Sequence, residues 1–486
     1  MNAVMLVLIP LILSLLSFAP HYSGSASTGV DTMFAGQSLT GNETLVSRNG
    51  KFELGFFTPG NFQNYYIGLW FKQVAIVQKK KTIVWVANRD KPINATYFSS
   101  SEFKLLGNGH LVLLVSTKSN SSSTIPVWST DSMTSKTTID SSIKAVLGND
   151  GNLVIMSSSN GNIMWQSFDH PTNAFLPGAK FGYNNLTKKD QKITSWRNIG
   201  DPSEGFYSIE LEPDKSVISF KWNQSREFYN SGAWNGRFFS NFPEMRIGVV
   251  TSYDFTSYEN RSFFTFSAPN EAAPIYVFID LSGQLKAPIW QPKTQDWTII
   301  WVKPMQPCKV YGICGAFSVC SDNNVGPSIC QCLPGFEKYN PKDWDLLDYS
   351  GGCIRKTSLQ CGDKDNFKKL PNMDVSRIIP SADALVVDDA KKCESACLKN
   401  CSCDAYAYYK NSSGNSQSFM CLLWYSNLLN IEQLGGDKGN DLFIRLAASE
   451  VLVGSKMKAS TIWTIVGVYD EKKLEAIQEW VMIFSE

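Results

Sequence analysis

All twelve cysteines of this 486-residue chain lie between Cys308 and Cys421, and none precedes Cys308. That split sets two physical regimes. The front part has to stand on strand pairing and an apolar core, while the rear part can be stapled. An even number of cysteines crowded into a short stretch reads as a disulfide framework where the compartment is oxidising. A zinc site is the rival reading, but the block contains no C-x2-C pair, and an oxidising compartment argues against it.

The N-terminus addresses the compartment. Leu6 to Phe18 is an apolar run followed by small residues at Ala19 and Ser25-Ala26-Ser27, the pattern of a signal peptide rather than a membrane span. Residues 1–26 are therefore expected to be removed, and the product to be secreted and extracellular. Sequons at Asn42, Asn94, Asn120, Asn185, Asn223, Asn260 and Asn411 suit a glycosylated surface. A further sequon at Asn400 has Cys401 as its middle residue and is set aside. A net charge of +1 gives no electrostatic case for a nucleic-acid partner.

Three segments of the front part resemble one another. Asn49-Gly50-Lys51-Phe52-Glu53-Leu54, Asn108-Gly109-His110-Leu111-Val112-Leu113 and Asp150-Gly151-Asn152-Leu153-Val154-Ile155 each set a turn pair before apolar residues. Asn-Gly and Asp-Gly supply the positive φ angles that a tight turn needs. A tryptophan follows each segment, at Trp70, Trp128 and Trp165, with an extra at Trp85. Such a unit cannot bury an apolar face alone, so three are expected to stack around a shared tryptophan core.

The rear block divides into two sets of six. Cys308, Cys314, Cys320, Cys330, Cys332 and Cys353 run C-x5-C-x5-C-x9-C-x-C-x20-C. That stretch is too small for a sufficient core of its own. In the second set, Cys393, Cys397 and Cys401 recur every fourth residue, which places them on one face of a helix beginning near Asp389. Asp388-Asp389 reads as the N-cap of that helix, and Cys403 to Tyr408 alternates as a strand.

The chain offers no enzyme chemistry. Of the three histidines, His21 lies near the signal segment, His110 in a turn segment and His170 before Pro171. None sits beside a nucleophile motif, and no Gly-rich phosphate loop, His-Arg-Asp or Asp-Phe-Gly occurs. No catalytic residue, metal or cofactor is assigned. Near the end, Ala459 to Val468 begins like a membrane segment, but Tyr469-Asp470-Glu471-Lys472-Lys473 breaks it, well short of the about 20 residues a span requires.

Ile83-Val84-Trp85-Val86-Ala87-Asn88-Arg89-Asp90-Lys91-Pro92 and Trp165-Gln166-Ser167-Phe168-Asp169-His170-Pro171-Thr172 resemble the bulb-type lectin domain of plant S-domain receptor kinases. Leu176-Pro177-Gly178, Thr194-Ser195-Trp196, Asp201-Pro202-Ser203 and Ser231-Gly232-Ala233-Trp234-Asn235-Gly236 are similar to the S-locus glycoprotein domain. Tyr311 to Gly315 and Cys332 to Phe336 resemble an EGF-like module; Cys393 to Cys403 and Asp441 to Ala447 resemble a PAN/apple domain. The resemblance implies an all-β, multidomain chain. It would hold a β-prism II lectin domain at 27–170, a second lectin-like S-locus domain at 171–305, a disulfide-rich EGF-like hinge at 306–354 and an α+β PAN/apple domain at 361–447. A truncated juxtamembrane tail would occupy 448–486, without the kinase that family members carry. The implied pairing is Cys308–Cys320, Cys314–Cys330 and Cys332–Cys353 in the first set, where spacing alone leaves connectivity open. In the second it is Cys393–Cys421 and Cys397–Cys403, leaving Cys361 for Cys401.

Bulb lectins hold mannose on a strand pattern Gln-x-Asp-x-Asn-x-Val-x-Tyr, whose carbonyls and amides exchange hydrogen bonds with sugar hydroxyls. The best match here is Gly148-x-Asp150-x-Asn152-x-Val154-x-Met156, which keeps Asp150, Asn152 and Val154 as carbohydrate candidates but loses Gln and Tyr. Each polar group left unpaired costs about 1–3 kcal/mol, so two losses weaken binding by a factor on the order of hundreds. The other reading of Asp150 and Asn152 is ordinary turn chemistry. The resemblance thus implies a recognition ectodomain for a protein or peptide ligand, in pollen-type cell–cell recognition or defence signalling. A weak mannose or glycan lectin is the alternative, and a truncated receptor product without function of its own is another. The implied partners include a second copy of the chain or a receptor kinase. The product would sit at the cell surface if the true chain continued into a membrane helix.

Overall fold

The structure is a computed structural model that describes residues 30–450, apart from 61, 118–122, 131–141, 185–188, 213–215, 247–251, 259–260, 270–272, 323–327, 362–363, 379–381, 411–418, 426 and 437. The signal segment and the end of the tail lie outside the described residues. The chain falls into two compact units. Of the described residues, one comprises those up to Phe57, Ile67–Ile83 and Thr96–Ser167; the other holds Thr58–Tyr66, Val84–Ala95 and those from Phe168 on.

The first unit is built from three antiparallel sheets, each entered through one of the repeated turns. Thr32–Phe34, Ile143–Leu147, Leu153–Ser157 and Ile163–Gln166 form one in that order, and Ser38–Thr40, Ser101–Leu105, Leu111–Thr117 and Ser123–Ser129 form the second. The third contains Thr44–Val46 and Phe52–Phe57. The three turns share one hydrogen-bond pattern. The side-chain oxygens of Asn49, Asn108 and Asp150 accept from the backbone N–H of Lys51 (3.0 Å), His110 (3.3 Å) and Asn152 (2.9 Å). Gly50, Gly109 and Gly151 take φ of 70°, 87° and 87°, a region open to glycine at no steric cost. Period-two alternation then drives one face inward: Leu111, Leu113, Leu153 and Ile155 are fully buried. Trp128 and Trp165 lie edge to face at 6.3 Å, whereas the Trp70 indole N–H donates to Glu53 at 2.9 Å.

The second unit begins with three more four-stranded sheets. Their orders are Ala174–Phe175, Val277–Ile279, Leu285–Gln291, Asp296–Lys303; Lys189–Asp190, Phe181–Asn184, Arg261–Ser267, Ser252–Tyr258; and Lys192–Asn198, Asp201–Glu212, Val217–Trp222, Arg226–Asn230. The chain is thus two successive lectin-type β domains followed by stapled modules. The second β domain fills its interior with rings: Phe175 packs against Phe181, Phe264 and Phe266, and Phe239 against Trp234, Phe242 and Phe264. The extra tryptophan, Trp85, serves this unit, donating its indole N–H to the His170 carbonyl at 2.9 Å. Four residues on, Arg89 is 8% exposed and donates to the carbonyls of Pro202 (2.8 Å), Ser195 (3.0 Å) and Thr194 (3.2 Å).

The rear block closes six disulfides: Cys308–Cys320, Cys314–Cys330, Cys332–Cys353, Cys361–Cys401, Cys393–Cys421 and Cys397–Cys403, with Cα–Cα separations of 5.3–5.7 Å. These separations suit unforced bridging. The helix Ala390–Lys399 is capped by the Asp389 carboxylate, which accepts from Lys391 N–H, and it buries Cys393 and Cys397. Cys401 falls beyond its end, in the turn that leads to Cys403. The helix packs on a five-stranded sheet ordered Asp365–Met373, Asn440–Ala447, Cys403–Lys410, Phe419–Tyr425, Ala382–Val387. Arg445 on the second of these strands is wholly buried; it pairs with Asp365 at 3.0 Å and donates to the carbonyls of Cys397 and Asn400.

The EGF-like module is not an independent hinge. Its strand Ser318–Cys320 pairs in parallel with Ile431–Glu432 of the PAN-like module. Buried Glu432 then accepts from Lys309 (2.9 Å) and Arg377 (2.8 Å), and Arg377 also donates to the carbonyl of Lys309. One continuous core runs from Phe175 through Cys330 and Trp344 to Leu446. Shared strand pairing and shared apolar burial bind the modules, a coupling that cysteine spacing does not announce.

Arg445→Ala is expected to destabilise the protein by about 3–5 kcal/mol, because it leaves Asp365 buried without its counter-charge. The half-exposed pair Lys369–Asp441 at 2.7 Å provides the control, since Lys369→Ala should leave the unfolding midpoint in place. Urea unfolding without reductant separates the two, and equal midpoints would sink this account.

Candidate functional site

The lectin-type candidates sit at the turn and strand of the third repeat. Val154 lies across from Val146 and Gln166 on the outward face of its sheet and is half-buried, while Asp150 is exposed in the turn. Asn152 stands between them and is only 8% exposed. Its amide donates to Gln166 Oε1 at 2.9 Å, and its carbonyl oxygen accepts from Ser167 Oγ at 3.2 Å. Ser167 Oγ also accepts from the backbone N–H of Leu153 at 2.9 Å. One oxygen of Asp150 is held by the Asn152 N–H. Of the three candidates, Asn152 is the one turned toward the protein, while Asp150 stays exposed.

Gly148 shows why the first position of the pattern is not glutamine. A Cβ on Gly148 would run into the Asp150 carboxylate and approach the Asn152 carbonyl at 3.3 Å. Glycine lets the turn close over itself, and a longer side chain there would have to push the carboxylate aside.

The other repeats are filled differently. In the second, Val112 is wholly buried, and His110 at 7% exposure takes the place of Asn152. In the first, Glu53 accepts from Thr44 Oγ1 at 3.0 Å as well as from Trp70. The Lys81 ammonium stands 3.9 Å from the Trp70 ring centre and donates to the Phe56 carbonyl at 3.2 Å. Burial holds both Lys81 and Lys51 below the usual lysine range. Lys81 escaped the reading of the sequence, as did the link between Glu53 and Trp70, because the three are far apart in it. Gln166 and Ser167 were visible within their motif, but only the strand register assigns them to Asn152.

Asn42, Asn94 and Asn223 are exposed, as a glycan acceptor must be. Asn120, Asn185, Asn260 and Asn411 lie outside the described residues. Among those residues no helix is long and apolar enough to cross a membrane.

Two three-sheet β domains followed by a disulfide-stapled pair of modules define a lectin-like fold. Family models match in the same order: D-mannose binding lectin over residues 82–197, S-locus glycoprotein domain over 229–340 and PAN-like domain over 361–431. A G-type lectin S-receptor-like serine/threonine-protein kinase of Arabidopsis thaliana is 41% identical over 91% of the chain and 51% of its own length. A second from the same plant, SRK, whose name marks it as inactive, is 34% identical over 91% of the chain and 77% of its own length. The chain belongs to the G-type lectin S-receptor-like kinase family, and it spans about half the length of most of the relatives it matches. Monomeric monocot mannose-binding lectins from Gastrodia elata align over 28% of the chain and 96% of theirs at 20% identity, with a TM-score of 0.20.

Asn152→Ala should cost about 1–3 kcal/mol of stability, since it removes one partner of Gln166 and one of Ser167. Asp150→Ala, at an exposed turn, should cost less. Denaturant unfolding of the two variants checks the order; a reversed order would return Asn152 to the list of free ligand groups.

Proposed function

We propose that this chain acts as an extracellular recognition ectodomain for a protein or peptide ligand, of the kind that serves pollen-type cell–cell recognition or defence signalling. One observation carries the reading. The polar groups that a bulb lectin would use are bonded within the protein in the third repeat, and the equivalent places in the other two hold Lys51 with Glu53 and a buried His110. A sugar would have to break these bonds before making its own, at about 1–3 kcal/mol for each group left unpaired. The six disulfides suit an oxidising, extracellular setting. The family's receptor architecture supports a second copy of the chain or a receptor kinase as partner.

The test is retention on immobilised mannan. The protein should pass through, and Asp150→Ala and Asn152→Ala should elute with it. Retention that free mannose competes away and that Asp150→Ala abolishes would replace the proposal with the glycan-binding alternative.

A further inference from the structure

We propose that a cavity of about 320 Å³ in the second unit binds an organic cation, an ammonium or guanidinium group carried on an aromatic or short aliphatic body. Its apolar wall is supplied by Trp196 and Phe206 of the S-locus-type sheet and by Ile313 and Leu347 of the EGF-like module. Two carboxylates reach it. Asp280 is already answered: it accepts from Ser282 and Gln284 backbone N–H at 2.9 and 3.0 Å and pairs with Lys286 at 2.5 Å.

Asp348 is not. Its side chain is 7% exposed, and one oxygen accepts from the backbone N–H and hydroxyl of Ser350. The other oxygen accepts no hydrogen bond among the described residues. Its nearest cation is Arg197 Nε at 4.0 Å, beyond hydrogen-bond reach. Asp348 lines the cavity, so a donor entering it can compete for this oxygen with a direct, charge-assisted hydrogen bond.

Arg197 shows which donor suits the place. Its guanidinium carbon stands 5.5 Å from the Phe206 ring centre, so charge, ring and carboxylate are already assembled in a loose form. The Arg197 side chain is 51% exposed and can swing into solvent. An incoming cation that reaches the free oxygen of Asp348 takes its place, laying its body against the aromatic wall. The cation can be a free amine or the Arg or Lys side chain of a peptide, and only the peptide source rests on the recognition role proposed above.

Calorimetric titration of the full chain with benzylamine and with Nα-acetyl-arginine amide tests the site, with benzyl alcohol as the neutral comparator. At least one cation should bind and the alcohol should not; the cation that binds identifies the source. Asp348→Asn should weaken binding by at least about tenfold. Arg197→Ala, at a half-exposed position, should strengthen it severalfold by removing the internal competitor. Absence of binding to both the wild type and Arg197→Ala, equal binding of the alcohol, or unchanged affinity in Asp348→Asn would each overturn the proposal. None of these results bears on the mannan test, so the site and the recognition role stand or fall separately.

Discussion

A single guanidinium can satisfy several main-chain carbonyls at once, and the larger unit of this protein depends on that property. Short strands and disulfide loops leave carbonyl groups pointing inward with no ladder to receive them. Arg89 takes the carbonyls of Thr194, Ser195, Pro202 and Ser203 from two paired strands. Arg445 takes those of Cys397 and Asn400 while neutralising Asp365. Arg377 takes those of Cys308 and Lys309 and shares Glu432. Lysine, with one compact donor head, could not span these sets. Buried unpaired carbonyls would be the cost of losing any one of them.

The same accounting separates a lectin fold from a lectin site. The fold requires only that each Asx turn hold its own backbone and that alternate residues point inward. A site requires in addition that polar side chains remain unsatisfied in the free protein and aimed outward. The three repeats keep the first condition, and their side chains at the sugar positions carry bonds within the protein: Asn152 to Gln166 and Ser167, and Glu53 to Trp70 and Thr44. The second unit offers the opposite case at Asp348, where the carboxylate is buried but incompletely answered.

The modules of the rear block carry their own staples yet share one core. Disulfides restrict the unfolded chain, but they do not place one module against another. That placement comes from the parallel pairing of Val319 with Ile431 and of Cys320 with Glu432. It is reinforced by the buried charge cluster around Glu432. A rigid EGF–PAN block therefore takes the place of a jointed stalk.

The sequence by itself determined the local framework. Asn-Gly and Asp-Gly turns, alternating apolar strands, the Asp389 cap and the four-residue cysteine spacing are short-range patterns whose physics is complete within a few residues. Tertiary structure alone decided which polar groups remain available. Asn152 reads as a sugar ligand until the register brings Gln166 beside it, and Arg89 reads as part of a lectin motif until it is found buried against Thr194 and Ser195. Asp348 has no motif at all. Its unanswered oxygen arises where a loop of the stapled module meets a strand more than a hundred residues earlier. Hydrogen-bond satisfaction is settled by partners distant in sequence, so the residue types can be read in advance but their availability cannot.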